Sequence, residues 1–527
     1  MHVLMVAAEN DAIPEAKVGG VADVVRDLPQ ALAQHNVTVD VMIPDYAHYA
    51  QKNESRQLAT VQVPFAGGTE TVTLFEIWLP ETSEKVRQLV LQHALFSASG
   101  QVYSHDIGNR PFATDATKYA LFSIAVCQIL KEGHLTKPDV LHLHDWHSAS
   151  VAVLCKYAPH YHELANIHSV YTVHNIALQG IRPFSGDASS LSAWFPDVNF
   201  SRDDICDPRY PHCYNPMRAG INLCNKVHVV SPTYAEEVQH ASDAENGFFG
   251  GEGLEHDLIR ANQRGRLVGI LNGCEYPRSK ADNTVKSTVT SKKKPPLNDF
   301  LLAAQQQVKR WLSQSNTLQT VHYLANEQLN TWQNQDPFDG LLVTSIGRLT
   351  DQKVLLLRQP YQGSTVLSVL LDNLASVGGR LIILGSGDKG IEFELMPLMA
   401  NHDNFLFLNG YGQSLSDQMY QHGDLFLMPS SFEPCGISQM LALRAGQPCL
   451  VHAVGGLKDT VQHLHNGFCF SGLSLAEQSH NLVGEFSNAI TTYNNNTNQW
   501  SELATNARAS RFTWQESTQI YLQRLYC

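Results

Sequence analysis

Arg380-Leu-Ile-Ile-Leu384 runs without a break into Gly385-Ser-Gly387-Asp-Lys-Gly390. A nearly continuous apolar run that stops at a glycine turn is the signature of a parallel strand buried on both faces. Glycines at such a turn let backbone come close to a ligand or to another segment. The spacing also matches G-x-G-x-x-G, but a dinucleotide site wants an acidic residue about 20 positions on, at the end of the next strand. That strand, Phe405-Leu-Phe-Leu408, ends in Asn409-Gly410. The turn therefore reads as a phosphate-facing or structural glycine turn, not as an NAD or FAD site.

The same punctuation repeats along the chain. Short apolar runs at 2–8, 38–44, 71–79, 139–145, 169–174, 226–231 and 267–271 read as strands, and so do 341–346, 380–384, 404–408, 424–428 and 448–452. Helical stretches such as 21–34, 115–131, 148–157 and 437–446 separate them, which is the pattern of parallel α/β sheets. The main break is 277–298, rich in Lys, Ser, Thr, Asn and Pro, and it reads as a linker or surface loop. A local echo crosses that break: Val18-Gly-Gly-Val-Ala-Asp-Val-Val25 and Val454-Gly-Gly-Leu-Lys-Asp-Thr-Val461. Each places paired glycines where a helix opens, so that free N–H groups face a crevice. The expectation is two nucleotide-fold domains facing a central cleft.

The chain has 527 residues, 43% apolar and 17% charged, enough for two sizeable cores. Fifty acidic side chains against 37 basic ones give a net charge of −13, which argues against a nucleic-acid footprint. Ten scattered cysteines without a CxxC pair fit a reducing compartment. Met1–Asn10 reads as a first strand rather than a signal peptide. No apolar helical run reaches the ~20 residues of a membrane span. A cytoplasmic protein without a membrane partner is expected.

Three clusters carry chemistry. In His142-Leu-His144-Asp-Trp146-His147, strand alternation puts His142 and His144 on one face. Metal ligands, cleft-lining groups and satisfied structural histidines remain open as readings. Glu433-Pro-Cys435-Gly436 puts a carboxylate between a strand and a helix. There a polar site for a hydroxylated ligand is a better reading than a Cys435 nucleophile, which needs a base. Arg348-Leu-Thr-Asp-Gln-Lys353 puts two cations after a strand, either facing a diphosphate or forming a surface pair.

Together these stretches resemble the bacterial glycogen synthase and plant starch synthase family, retaining glucosyltransferases of the two-domain GT-B fold. The likeness runs in order through Lys17-Val-Gly-Gly20, His144-Asp-Trp-His147, Thr172-Val-His-Asn175, Ser231-Pro-Thr-Tyr234 and Leu271-Asn-Gly273. It continues through Gly347-Arg-Leu-Thr-Asp-Gln-Lys353, Gly385-Ser-Gly387-Asp388, Phe432-Glu-Pro-Cys-Gly436 and Gly455-Gly456, and closes at Phe512-Thr-Trp514. The chain departs from the family pattern at Val18, usually Thr; at Val354, usually Gly; at Ser431, usually basic; and over Cys274–Ser279.

The resemblance implies two Rossmann-like domains, 1–273 on the acceptor side and 274–508 on the donor side, with a helix in 509–527 crossing back. It implies transfer of glucose from a nucleotide sugar, commonly ADP-glucose, to the non-reducing end of an α-1,4-glucan. Arg348 and Lys353 match the leaving-group cations, Glu433 the carboxylate at the donor glucose, and His174 the histidine beside the reacting centre. Lys17 with Gly19 and Gly20 would assist from the first domain. Asp23, Asn272, Gly385, Gly387, Tyr411, Cys435, Gly436 and Ser438 would line the donor site. No metal and no cofactor are implied, because arginine, lysine and helix N-termini can neutralise the diphosphate. Front-face substitution and double displacement both remain open. The alternatives are a catalytically weak glucan-binding relative and a GT-B enzyme of other specificity.

Overall fold

The computed structural model describes residues 1–80, 82–104, 106, 108, 110–276, 297–314, 317–335 and 338–527. The chain forms two compact units, one of residues 1–242, 250–275 and 513–527, the other of 243–249 and 276–512. The excursion of 243–249 into the second unit has no signal in the sequence pattern. The linker reading of 277–298 falls outside the described residues except at Leu297 and Asn298, which open the helix Leu297–Gln314.

The first unit is built on a nine-stranded sheet. Its strands are β1 His2–Val6, β2 Thr38–Pro44, β3 Ser55–Phe65, β4 Gly68–Ile77, β5 Val86–Gln92, β6 Val140–His144, β7 His168–Val173, β8 Lys226–Val229 and β9 Leu267–Gly269. They lie in the order β9-β8-β7-β6-β1-β2-β5-β4-β3. Only β3–β4 and β4–β5 pair antiparallel. The chain runs outward from β1 to β2, then returns to place β6 on the other side of β1. The order therefore reverses between β1 and β6, where open α/β sheets make their ligand crevice.

Strands β3 and β5 are absent from the sequence reading, for a physical reason. β3 alternates buried and exposed residues and carries Pro64, which an edge strand tolerates because its outer N–H groups need no partner. β5 is interrupted by Arg87-Gln88. The helix expected at 148–157 starts earlier, as Asp145–Ser148 followed by Ser150–Tyr157.

The second unit has a six-stranded, wholly parallel sheet. Its strands are β10 Leu342–Ile346, β11 Arg380–Gly385, β12 Phe405–Asn409, β13 Leu425–Met428, β14 Cys449–His452 and β15 Gly467–Phe470. The order β12-β11-β10-β13-β14-β15 reverses between β10 and β13. Val343, Leu381, Ile382, Phe405, Phe407 and Leu427 form the centre of its core, each fully buried.

The C-terminal helix Trp514–Ile520 belongs to the first unit. Gly273 makes room for it, since a Cβ there would stand 2.4 Å from the Trp514 backbone nitrogen. Ser517 donates to the Leu271 carbonyl at 2.7 Å, and His168 Nε2 meets the Leu525 carbonyl at 2.6 Å. Among the described residues no helix is long and apolar enough to cross a membrane.

Candidate functional site

Each unit gathers candidate side chains at its own reversal point. In the first, β1 ends at Val6, and Glu9 follows it with only 2% of its surface exposed. A loop then leads to the helix Gly20–Gln34, whose N-cap is Gly19 in extended conformation. Lys17, in that loop, donates to Asp23 at 2.6 Å and to Asp11 at 3.1 Å. Burial works against its charge, but the two carboxylates outweigh it and hold its pKa above the usual lysine value. Gly20 has open space where a Cβ would sit, while at Gly19 a Cβ would meet Glu9 Oε1 at 3.4 Å.

Across the reversal point, β6 presents His142 and His144 on one face, their rings stacked at 4.2 Å. His142 is spent on structure. Its Nδ1 lies 2.8 Å from the Tyr526 hydroxyl and its Nε2 2.7 Å from Thr172 Oγ1. His144 Nδ1 lies 2.9 Å from Nε2 of His174, just beyond β7. A neutral pair shares one proton there, so the tautomer of His144 dictates that of His174. Burial, with the neighbouring histidines, holds His142, His144 and His174 well below the usual range and keeps them neutral near pH 7. Among the described residues no group of three or more His, Cys, Asp or Glu could hold a metal ion.

Asp145 is the residue that this motif hides. It has φ +53°, unusual for a residue with a side chain, and accepts the His174 N–H at 2.7 Å. Burial pushes its carboxyl up to about 7. Asn272, beyond β9, is buried, and its Oδ1 has no hydrogen-bond partner among the described residues.

In the second unit, Gly347, Arg348, Lys353, Ile383, Met428 and Ser430 line a crevice at the ends of β10 and β13. Arg348 is exposed, with no hydrogen bond or ion pair among the described residues. Lys353, on the helix Asp351–Arg358, forms an ion pair with Glu433, whose side chain is only 8% exposed. Ser431 N–H donates to the Gln352 carbonyl at 2.8 Å, and Gln352 Nε2 to the Phe432 carbonyl at 3.1 Å. The two loops that carry the pair are thereby fastened together.

The glycines serve packing here. A Cβ at Gly385 would stand 1.9 Å from the Gly347 carbonyl oxygen, and one at Gly387 2.3 Å from that of Leu349. Both let the β11 turn lie against the loop bearing Arg348, where Leu349 N–H donates to the Ser386 carbonyl at 3.0 Å. Gly456 does the same for the other loop, since its Cβ would meet the Cys435 carbonyl oxygen at 2.2 Å. Cys435 is buried, Gly436 turns the chain at φ +75°, and Ser438 opens the helix Ser438–Ala445. Tyr411 is placed differently. It lies beyond the edge strand β12, 61% exposed, its hydroxyl donating to Gln413 at 2.5 Å.

Sequence reasoning missed Glu9 and Asp145 as site residues. Glu9 did carry a signal, being a charged residue directly after an apolar strand.

Comparison with known proteins follows the two units. Residues 2–260 match a family described as starch synthase catalytic domain, and 361–499 one described as glycosyl transferases group 1. A glycogen synthase of Desulfitobacterium hafniense is 30% identical over 548 residues, covering 99% of this chain and 98% of that protein. One from Francisella tularensis subsp. novicida is 29% identical with the same coverage. The catalytic domain of starch synthase IV from Arabidopsis thaliana, solved bound to ADP and acarbose, superposes with a TM-score of 0.76 at 28% identity, covering 100% of this chain and 98% of that one. A sucrose-phosphate synthase from Thermosynechococcus elongatus, at TM-score 0.53 and 14% identity, shares the fold alone.

Proposed function

This chain belongs to the glycogen synthase and starch synthase family of glucosyltransferases, and on that premise we propose its substrates and the roles of its residues. The donor is ADP-glucose and the acceptor the non-reducing end of an α-1,4-glucan, with the anomeric configuration retained. The support for ADP is the ADP and acarbose bound by the related starch synthase IV. A cytoplasmic location fits ten cysteines of which none is in a disulfide.

Breaking the anomeric C–O bond puts negative charge on the departing diphosphate and positive charge on the sugar. Arg348 opposes the first. It is a guanidinium with no partner of its own among the described residues, set in a crevice beside Lys353. Lys353 is held by Glu433 until a diphosphate offers it stronger charge. Glu433 is then left to the glucose, where a buried carboxylate favours the developing positive charge. Preorganised charge of this kind is commonly the largest catalytic contribution. His174 is neutral, so it offers either a hydrogen-bond donor or an acceptor near the sugar and not a charge. Lys17 contributes a further cation, and Asn272 a side-chain carbonyl oxygen, unpaired among the described residues, for a donor group. Gly385, Gly387 and Gly436 shape the loops, with Cys435 and Ser438 at the wall.

The observation that carries this reading is the Arg348, Lys353 and Glu433 cluster at the sheet's reversal point. The test offers ADP-glucose and UDP-glucose separately with glycogen and follows nucleotide release, with and without EDTA. Faster release from ADP-glucose, unchanged by EDTA, is expected. A preference for UDP-glucose overturns the donor assignment. Loss in EDTA, restored by Mg²⁺ or Mn²⁺, overturns the metal-free mechanism.

A further inference from the structure

A carboxylate as buried as that of Glu9 is costly unless donors surround it. Three do. The backbone N–H groups of Val18 and Gly19 reach its Oε2 at 2.7 and 2.6 Å, and the Tyr103 hydroxyl reaches its Oε1 at 2.6 Å. No cation is bonded to it among the described residues. Successive backbone amides aimed at one oxygen make an anion-binding nest. In this loop the protein's own carboxylate fills the nest.

Tyr103 is held in place to complete it. The Val102 carbonyl accepts from Lys118 at 2.6 Å and from the Tyr119 hydroxyl at 2.9 Å. On the other side, Ser104 N–H donates to the Asp115 carboxylate at 3.0 Å, and Asp115 is paired with Lys118 at 2.8 Å. Burial and the neighbouring Glu9 raise the phenol's pKa well above its usual value, so its hydroxyl keeps the proton that it donates. The Tyr103 ring lies 5.3 Å from that of His147.

We propose that Glu9 and Tyr103 are positioning residues for the loop from Lys17 to Gly20, fixing where the Lys17 ammonium and the start of the helix Gly20–Gln34 meet the diphosphate of the donor. The idea rests on the functional reading above. It also assigns the amides: those of Val18 and Gly19 are spent on Glu9, so phosphate is met by Lys17 and by the N–H groups from Gly20 onward. The carboxylate thus trades two possible phosphate contacts for a rigid loop.

Three variants test it: Tyr103→Phe, Glu9→Gln and Glu9→Ala. ADP affinity is measured by calorimetry, and KM for donor and for glycogen is determined separately, beside the unfolding temperature. Tyr103→Phe removes one charge-assisted hydrogen bond and should weaken ADP binding about 10-fold at most. Glu9→Gln can still accept from the amides, so it should lie between wild type and Glu9→Ala. Donor KM should rise in the same order while glycogen KM stays put. Wild-type ADP affinity in a folded Tyr103→Phe and Glu9→Gln overturns the proposal. So does a parallel rise of donor and glycogen KM, which a general loosening of the unit would cause. A wild-type protein that binds no ADP defeats the functional reading, and the proposal falls with it.

Discussion

Arg348 and Lys353 sit in one crevice, yet they should answer differently to removal. Arg348 is exposed and unpartnered among the described residues, whereas Lys353 neutralises Glu433. Arg348→Ala should lower kcat by about 10²–10³, the scale for one preorganised electrostatic partner, with the unfolding temperature unchanged. Lys353→Ala should lower turnover as far and also lower the unfolding temperature, because it strands a buried carboxylate. Steady-state kinetics beside thermal unfolding checks both, and near-wild-type turnover of either folded variant removes it from the leaving-group role. Glu433→Gln should separate binding from chemistry. Turnover should fall steeply while ADP affinity, measured by calorimetry, holds, since Lys353 is set free for the diphosphate. These charged positions were legible because they lie in the loops and the helix start that follow apolar strands. The contact of Glu9 with Tyr103 was not, because its partners lie 94 positions apart and only the fold brings them together.

At the scale of elements, the glycine turns divide into two kinds that look alike in sequence. Gly385 is enclosed, its would-be Cβ 1.9 Å from a carbonyl oxygen, whereas Gly20 faces open space. Gly385→Ala should therefore destabilise the second unit by about 1–3 kcal/mol, the range for overpacking, and disturb the Arg348 loop. Gly20→Ala should leave stability intact and raise donor KM, because the added methyl meets only an arriving ligand. Denaturant unfolding and donor KM for the two variants provide the comparison. Equal stability losses would mean that the loop at Gly20 is also packed. Most of the parallel strands were readable as short, largely apolar runs. At the antiparallel edge of the first sheet β4 was readable but β3 and β5 were not, since β3 alternates and holds a proline, and β5 carries Arg87-Gln88 at its start. The last strand, β15, is four residues long and too short for a periodic signal.

For the molecule as a whole, each unit has its own sheet and core, and they should differ in acid. In the first unit, burial holds the His147 and His228 rings at about 3, and His142, His144 and His174 are lowered as well. In the second, His452 is held at about 4. The unfolded chain takes up protons at these rings near pH 6.5 and the folded one does not, so stability falls as pH drops through that value. Each ring held at about 3 should cost about 2 kcal/mol between pH 6.5 and 5, and Asp145, whose carboxyl held up at about 7 takes its proton first in the folded state, offsets about one of them. Calorimetry across that range should show the transition of the first unit falling faster. A transition that does not move with pH would mean that these rings are already protonated in the folded state. Two α/β halves and the nearness of Arg348, Lys353 and Glu433 after their strands were within reach of the sequence; the histidine stack that ties the C-terminal segment to the first sheet required the fold. The central claim is that the chain transfers glucose from ADP-glucose to a glucan with Arg348 at the leaving diphosphate. The direct measurement supplies glucose-labelled ADP-glucose and glycogen, and counts label entering the glucan against ADP released. The account predicts one glucose per ADP, attached in α-1,4 linkage at non-reducing ends, with label incorporation and ADP release lowered together by about 10²–10³ in Arg348→Ala. ADP release without growth of the glucan, or label incorporation at a near-wild-type rate in Arg348→Ala, would contradict it.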